Sequence, residues 1–179
     1  MRKILAGALL NFTSHFAFLT SHFIIKKMLH EFQLAGQRMR LWQRNGESYE
    51  HILMKALGYA MFAREYPTLS IEIKVGLRYK PDLVARDEAG NFSFWGEAGA
   101  NSLRKTAWLL KHTTTQKLAL FKIGRNVGQL AGQLREEIPA KYRPKGRLVL
   151  INFVSDIQNL TVAKQIEKVS ADWFTEVKI

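Results

Sequence analysis

The chain has 179 residues, enough for one domain with a sizeable core, and its composition is that of an ordinary globular protein. Its 27 Lys and Arg against 15 Asp and Glu give a net charge of +12, which favours polyanionic partners, either nucleic acid or an anionic membrane surface. A soluble protein can also simply be basic. The absence of cysteine excludes disulfides, thiolate zinc sites and a cysteine nucleophile, and it fits a reducing, cytoplasmic location.

Residues 1–28 are interpreted as an apolar extension, and residues 29–179 as a single domain. The start "MRKILAGALL" resembles the front of a signal peptide, but "NFTSHFAFLTSHFII" is polar and has no small-residue cleavage site. The stretch is also too polar for a typical membrane span. His15 and His22 lie seven residues apart, a spacing that interface histidines explain more often than a metal site does. Attachment to a membrane surface through residues 4–25 stays open.

The first half of the domain is predicted to be a helix between strands. Residues 29–44 alternate loosely and predict one or two strands. A helix follows within residues 45–67, capped by Asn45 or Gly46 and closed by Pro67. "TLSIEIKVGLRY" then predicts a half-buried strand. "PDLVAR" and "FSFWGEAG" predict two further strands that are joined by the turn "DEAGN".

Helices and strands alternate in the second half. "ANSLRKTAWLLKHT" predicts a helix capped by Asn101 or Ser102, "KLALFKIG" a short strand, "VGQLAGQLREEI" a helix and "GRLVLINFV" a buried strand. The tail "LTVAKQIEKVSADWF" predicts a last helix. An antiparallel meander followed by alternating units indicates an α/β fold whose mixed sheet is flanked by helices.

Two carboxylates stand apart from the scattered surface charge. Asp82 follows a proline and opens an apolar run, and Glu97 lies among small and apolar residues. If the hairpin pairs these two residues, its turn is the four residues "EAGN" or the two residues "AG", whereas an odd number breaks the pairing. Either register points both side chains to one face. A divalent cation relieves the repulsion between two such acids, and their hard oxygens suit Mg²⁺ or Mn²⁺.

Other charged residues near these acids have two possible roles each. Arg104 and Lys105 begin a predicted helix, where cations oppose the dipole. One role is to bind a phosphate at the helix start, where Lys105 could also orient a water beside Glu97. The other is that both side chains simply project into solvent. Glu47 and Glu50 share a helix face, from which a carboxylate completes a metal shell or merely complements the dipole.

The segment "KYRPKGR" is the densest basic stretch, with four basic residues in seven. It is interpreted either as a contact for a phosphate backbone or as a solvated loop before a strand. With Arg104, the candidate ligands of nucleic acid are Lys141, Arg143, Lys145 and Arg147.

The order of these elements resembles the core of the PD-(D/E)XK nuclease superfamily, which has a restriction-endonuclease-like fold. Within that superfamily the chain is similar to the YaeQ family. "GESYEHILMKALGYA" is similar to the family's first helix, "FWGEAG" to its apolar-Glu-x-Gly strand and "LRKTA" to its basic helix start. "LALFKIG" and "LVLINFV" match the strands that follow. The likeness covers Glu47 to about Asp156.

The resemblance implies a nuclease that depends on Mg or Mn and hydrolyses phosphodiester bonds, with DNA expected as substrate over RNA. By position it makes Asp82 and Glu97 catalytic metal ligands and Glu47 a third ligand. Gly99 stands where the superfamily usually has a lysine, in agreement with the YaeQ-like pattern, and the resemblance assigns that role to Lys105. The alternatives are an inactive nucleic-acid-binding protein on the same fold and a membrane-peripheral basic protein.

Overall fold

The computed structural model describes residues 27–179. The interpretations placed on residues 1–26, including His15, His22 and the membrane-attachment hypothesis, lie outside the described residues. The proposed domain boundary at residue 28 stays a prediction, and the first described strand begins at Met28. None of the helices within residues 27–179 combines the length and the apolar character that a bilayer crossing requires.

A small sheet precedes the main body of the fold. Strands β1 (Met28–Leu34) and β2 (Gln37–Gln43) lie where the sequence predicts one or two strands, and they form an antiparallel hairpin. A short strand near the end of the chain, β8 (Gln165–Ile166), pairs in parallel with β1 and completes this three-stranded sheet. Helix α1 (Tyr49–Phe62) follows the hairpin.

The main sheet has six strands in the order β3-β4-β5-β6-β7-β9. The pairs β3–β4, β4–β5 and β7–β9 are antiparallel, and the pairs β5–β6 and β6–β7 are parallel. The strands are β3 (Ser70–Ile71), β4 (Leu83–Arg86), β5 (Phe92–Ala98), β6 (Lys117–Ile123), β7 (Leu148–Phe153) and β9 (Phe174–Lys178). The remaining helices are α2 (Leu103–His112), α3 (Val127–Glu137) and the single turn α4 (Ile157–Leu160).

Helices cover both faces of this sheet, so its central strands are buried on both sides. Alternate residues of one strand enter different cores: Phe94 packs with α1, and Trp95 packs with α2 and α3. The predicted α/β fold with a mixed sheet flanked by helices is therefore confirmed.

Serine side chains fix where the two helices near the acids begin. Ser102 caps α2 by accepting from the Lys105 backbone N–H at 3.1 Å, as predicted. Ser48, and not Asn45 or Gly46, caps α1 by accepting from the His51 N–H at 3.2 Å. The predicted cap of α1 was therefore wrong by two to three residues.

Two predicted elements are wrong. The strand expected over residues 68–79 is reduced to Ser70–Ile71, because Glu72 takes a positive φ of 57° and turns the chain away from β4. The expected C-terminal helix is replaced by α4, β8, a 3₁₀ turn and β9. Pairing of β9 with the edge of β7 and of β8 with β1 satisfies the backbone there, so long-range hydrogen bonds override the local helical pattern.

Gly58 lets α1 pack closely on the sheet and generates a test of the core. A Cβ at this position would lie 2.8 Å from Cζ of the buried Phe121 ring, which is itself fixed by Phe62 and Phe153. We expect Gly58→Ala to lower the free energy of unfolding by roughly 1–3 kcal/mol through overpacking. The matched control is Gly132→Ala in α3, where nothing lies within 4 Å of the added Cβ apart from the neighbouring helix backbone, and a gain of about 0.5–1 kcal/mol is expected. Urea denaturation measures both, and a stabilised Gly58→Ala variant would contradict the packing.

Candidate functional site

The hairpin of β4 and β5 brings Asp82 beside Glu97. Leu83 pairs with Gly96 and Val84 with Trp95, so the same register continues to residues 82 and 97. The Asp82 backbone N–H donates to the Gly96 carbonyl at 3.2 Å, which extends the pairing to the end of the ladder. The predicted register is therefore correct.

The turn of this hairpin differs from both predicted turns. Arg86 pairs with Phe92, which leaves the five residues 87–91 between the strands. The Asp87 N–H donates to the Asn91 carbonyl at 2.9 Å and closes this turn. An odd number of residues was expected to break the register, but a β-bulge between Ala85 and Arg86 absorbs the offset.

Asp82 is held as an ionised carboxylate at the bend before β4. Its Oδ2 accepts from the Ala98 backbone N–H at 2.8 Å, and its Oδ1 lies 3.2 Å from His51 Nε2. Burial raises the pKa of the Asp82 carboxyl. The hydrogen bonds from His51 and Ala98 outweigh that effect, so the pKa lies below its ordinary value.

For the Glu97 carboxyl the effect of burial on the pKa is the larger one. It is 1% exposed, its Oε1 accepts from Trp95 Nε1 at 2.8 Å, and its Oε2 accepts from Lys105 Nζ. Burial raises the pKa of Glu97 above its ordinary value, and the nearby charge of Asp82 adds to the rise although Lys105 and Trp95 oppose it. Two neighbouring carboxyls with pKa values pushed apart are a recurrent feature of acid–base sites.

The first turns of α2 deliver the lysine that the sequence predicts beside Glu97. Lys105 crosses from the helix to the Glu97 carboxylate, and its ammonium lies 5.4 Å from the centre of the Tyr79 ring. Arg104, the neighbouring candidate, is exposed to solvent. The structure therefore brings Lys105 to the acids and leaves Arg104 on the surface.

Glu47 joins the acids through His51. Its Oε1 lies 3.3 Å from His51 Nε2, the same nitrogen that contacts Asp82. Glu47 also accepts from the Arg44 backbone N–H at 3.0 Å and from Lys55, which is 1% exposed and binds Glu72 as well. Of the two helix acids, Glu47 therefore reaches the site.

Glu50 points elsewhere. It is exposed, and its Oε1 accepts from the Gln158 side chain at 3.1 Å. The interpretation of Glu50 as an acid that complements the start of the helix is the one consistent with this position.

Gly99 occupies a position where any side chain would be strained. It has a φ of +73°, which strains any other residue, and a Cβ there would lie 2.9 Å from His51 Nδ1. The imidazole that connects Glu47 with Asp82 thus occupies the space that a side chain at position 99 would need.

Sequence reasoning missed a second lysine, Lys122 on β6. Its side chain donates to the Gly99 carbonyl, and the residue is only 7% exposed. Burial lowers the pKa of Lys122 from 10.5 to about 8, and the positive charge of Arg125 contributes in the same direction. The available signal was a charged residue inside the otherwise apolar run "KLALFKIG", which marks a cost that the strand itself does not explain.

A cleft of about 1270 Å³ opens at the carboxyl ends of β5 and β6. Its lining combines the acids and the imidazole with basic and amide side chains from β6 and from the residues that follow it. Glu97 and Lys105 are not among the residues that line this cleft. The lining side chains used below are Glu47, His51, Asp82, Asn101, Lys122 and Arg125.

The basic segment 141–147 is not part of this cleft. It precedes β7, and because β5, β6 and β7 are parallel it lies at the opposite end of the sheet from Gly99. Arg147 donates to the carbonyls of Thr113, Thr115 and Tyr142.

The other basic residues of this segment are either hydrogen-bonded to the chain or exposed. Arg143 donates to the carbonyls of Ile138 and Arg135, whereas Lys141 and Lys145 are exposed. The two arginines are thus engaged in folding the loop, and binding of nucleic acid by the segment stays a prediction.

The donor chemistry of the site fits a hard divalent cation. Asp82, Glu97 and Glu47 supply only carboxylate oxygens, the ligands that Mg²⁺ and Mn²⁺ favour. Within the part of the chain that the structure describes, no three acidic or histidine side chains converge as a ready metal-binding group. His51, Lys55 and Lys105 balance the acids instead, so a cation would have to take over this role from them.

The fold and the acid pair define an α/β protein of mixed sheet with carboxylates at the end of a central hairpin. This fold is similar to that of the YaeQ protein from Xanthomonas axonopodis pv. citri, with a TM-score of 0.53, 18% identity, and coverage of 78% of this chain and 79% of that one. It is also similar to the YaeQ protein from Pseudomonas syringae, with a TM-score of 0.54, 14% identity, and coverage of 85% and 93%.

These identities establish likeness of fold alone, and at that level the resemblance to YaeQ proteins is confirmed. No protein-family model and no curated protein matches the sequence.

The raised pKa of Glu97 predicts how stability depends on acid pH. The folded chain binds this proton more readily than the unfolded chain, so Glu97 contributes stability as pH falls through its raised pKa towards 4.5. We expect the wild type to gain stability relative to Glu97→Gln over that range. Urea denaturation of both proteins from pH 8 to pH 4.5 measures the difference, and a difference that is flat or falls with acidification would exclude a raised pKa.

Lys122 predicts the corresponding effect at alkaline pH. Its folded pKa of about 8 lies below the unfolded value of 10.5, so its charge destabilises the fold at neutral pH and this penalty is relieved as pH rises between them. Between pH 7 and pH 10 the wild type should gain about 2 kcal/mol relative to Lys122→Met. Lys111→Met, at an exposed position, is the control, and the wild type should show no such gain relative to it. Urea denaturation at each pH measures the free energy of unfolding. If this free energy changed with pH in the same way for Lys122→Met and Lys111→Met, the burial of the Lys122 charge would be contradicted.

Proposed function

We propose that this chain is a metal-dependent nuclease of PD-(D/E)XK type that hydrolyses phosphodiester bonds of nucleic acid. The observation that carries the proposal is that the strand register places Asp82 opposite Glu97, and that Lys105 from the following helix binds Glu97. These are the three side-chain types that the superfamily uses, and position 99 is closed to the usual lysine. DNA is the expected substrate over RNA.

In this proposal the acids bind the cation, and the residues around Glu97 orient its carboxylate and the substrate. Asp82, Glu97 and Glu47 would hold the cation, which when bound supplies Lewis-acid polarisation of the scissile phosphate. Trp95 fixes the orientation of the Glu97 carboxylate through its N–H. Lys105 donates to the same carboxylate, and its remaining N–H groups are free to orient a water or to stabilise negative charge on the phosphate.

The net charge of +12 supports the substrate class. A basic protein attracts polyanions over long distances, and this attraction weakens as salt is added. The cleft of about 1270 Å³ at the ends of β5 and β6 is lined by Asp82 and Glu47, two of the proposed cation ligands.

A second candidate is a nucleic-acid-binding protein on the same fold that does not cleave. It is favoured by the pairing of every acid in the site with a basic group of the chain: Glu47 with Lys55, Asp82 with His51 and Glu97 with Lys105. Acids balanced in this way need no metal for their charge compensation.

Metal titration and cleavage assays separate the two candidates. We expect the wild type to bind Mn²⁺ in calorimetry and to cleave single- or double-stranded DNA, with RNA as a parallel substrate. Asp82→Asn and Glu97→Gln should abolish both binding and cleavage. Lys105→Met should bind Mn²⁺ but cleave about 10²–10⁴-fold more slowly, because it loses only a donor.

Asp87→Asn, in the exposed hairpin turn, removes the same charge away from the site and should behave as the wild type. Circular dichroism verifies that each variant is folded. A wild type that binds nucleic acid but neither Mn²⁺ nor Mg²⁺ would refute the nuclease and leave the binding protein.

A further inference from the structure

Lys122 reaches the cleft from the strand next to the one that carries Glu97. In the parallel pairing of β5 with β6, Ala98 lies beside Phe121, and the Gly99 N–H donates to the Phe121 carbonyl at 3.2 Å. The following residue, Lys122, therefore lies beside Gly99, the position at which the superfamily usually carries its lysine. Its ammonium binds the Gly99 carbonyl and lines the same cleft as Asp82.

This lysine is buried without a counter-ion. Among residues 27–179 no carboxylate lies within ion-pair distance of its ammonium. By contrast, Lys55 binds two carboxylates and Lys105 binds one. An ammonium has three donors, and the Gly99 carbonyl accepts one. A buried charge with unused donors lowers the stability of the fold, and an anion in the cleft would offset that cost.

Two further residues that line the same cleft add donors. Asn101 Nδ2 is buried and has no hydrogen-bond partner among the described residues. Arg125 lines the cleft from the loop after β6, with its guanidinium at an exposed position. An ammonium, a guanidinium and an amide N–H₂ offer donors only, and together they suit a ligand with several anionic acceptor oxygens.

We propose that Lys122, Arg125 and the side-chain amide of Asn101 form a phosphate-binding subsite, which holds a phosphate of the nucleic-acid substrate beside Asp82. The identity of the ligand as nucleic acid rests on the proposed function. In this arrangement Lys122 contacts a substrate phosphate from β6, in addition to the role that the proposed function gives to Lys105.

The subsite is tested by binding of inorganic phosphate to the full chain in EDTA, where no cleavage occurs. In ¹H–¹⁵N NMR, saturable shifts are expected at the backbone amides of Gly99, Lys122 and Arg125. Lys122→Met should weaken binding by about 10-fold or more, the loss typical of one hydrogen bond to a charged group. Lys122→Arg, which keeps the charge, should restore most of the affinity.

Two further variants make the test specific. Arg125→Gln, at an exposed position, should weaken binding several-fold without any effect on folding, and Lys111→Met should bind as the wild type. A 12-nucleotide single-stranded DNA should displace the phosphate if the subsite serves nucleic acid. If it does not, the site binds free phosphate and the assignment of the substrate is overturned.

The proposal fails if the wild type shows no shifts at these amides, or if Lys122→Met binds phosphate as well as the wild type. These outcomes are independent of cleavage. A protein that binds phosphate through Lys122 but cuts no nucleic acid refutes the proposed function alone. A protein that cuts nucleic acid equally well without Lys122 refutes the subsite alone.

Discussion

Two buried charges of opposite sign, on adjacent parallel strands and unpaired with each other, are the constraint around which the site is built. Glu97 on β5 binds Lys105 from a helix, and Lys122 on β6 binds only a backbone carbonyl. A pair optimised for stability would place these groups in contact. Because they are separate, each charge is balanced by a different group: Lys105 binds Glu97, and the Gly99 carbonyl accepts from Lys122.

The rest of the molecule supplies the stability that this arrangement removes. Both faces of the sheet are packed against helices, and the aromatic cluster of Phe62, Phe94, Phe121 and Phe153 is continuous beneath α1. Lys55 contributes differently, because its buried ammonium ties Glu47 of the site to Glu72 in the loop before β4. That loop and the helix start are therefore held in one geometry, which fixes the position of His51 between Glu47 and Asp82.

Local sequence signals were sufficient for part of the site. Alternating strands around a turn gave the register of Asp82 and Glu97, and Ser102 identified the helix start that delivers Lys105. Lys122 was missed because a single lysine in an apolar strand resembles a surface position at a strand end. Only the parallel pairing with β5, formed between segments distant in sequence, shows that it is buried beside Gly99.

Long-range contacts also explain the other failures. The tail has helical periodicity, yet it pairs with two different sheets. In segment 141–147 a high local charge suggested binding, but Arg143 and Arg147 are used to satisfy carbonyls of neighbouring loops. Composition reports that a segment is basic, and it does not report whether the donors are already occupied.

The bulge at Ala85 and Arg86 separates the length of the hairpin tip from the geometry of the acids. Because the extra residue is absorbed near the tip, insertions or deletions between Asp87 and Asn91 can be accommodated there without turning either strand over. The size of this tip can therefore change while the carboxylates at the other end of the hairpin keep their alignment.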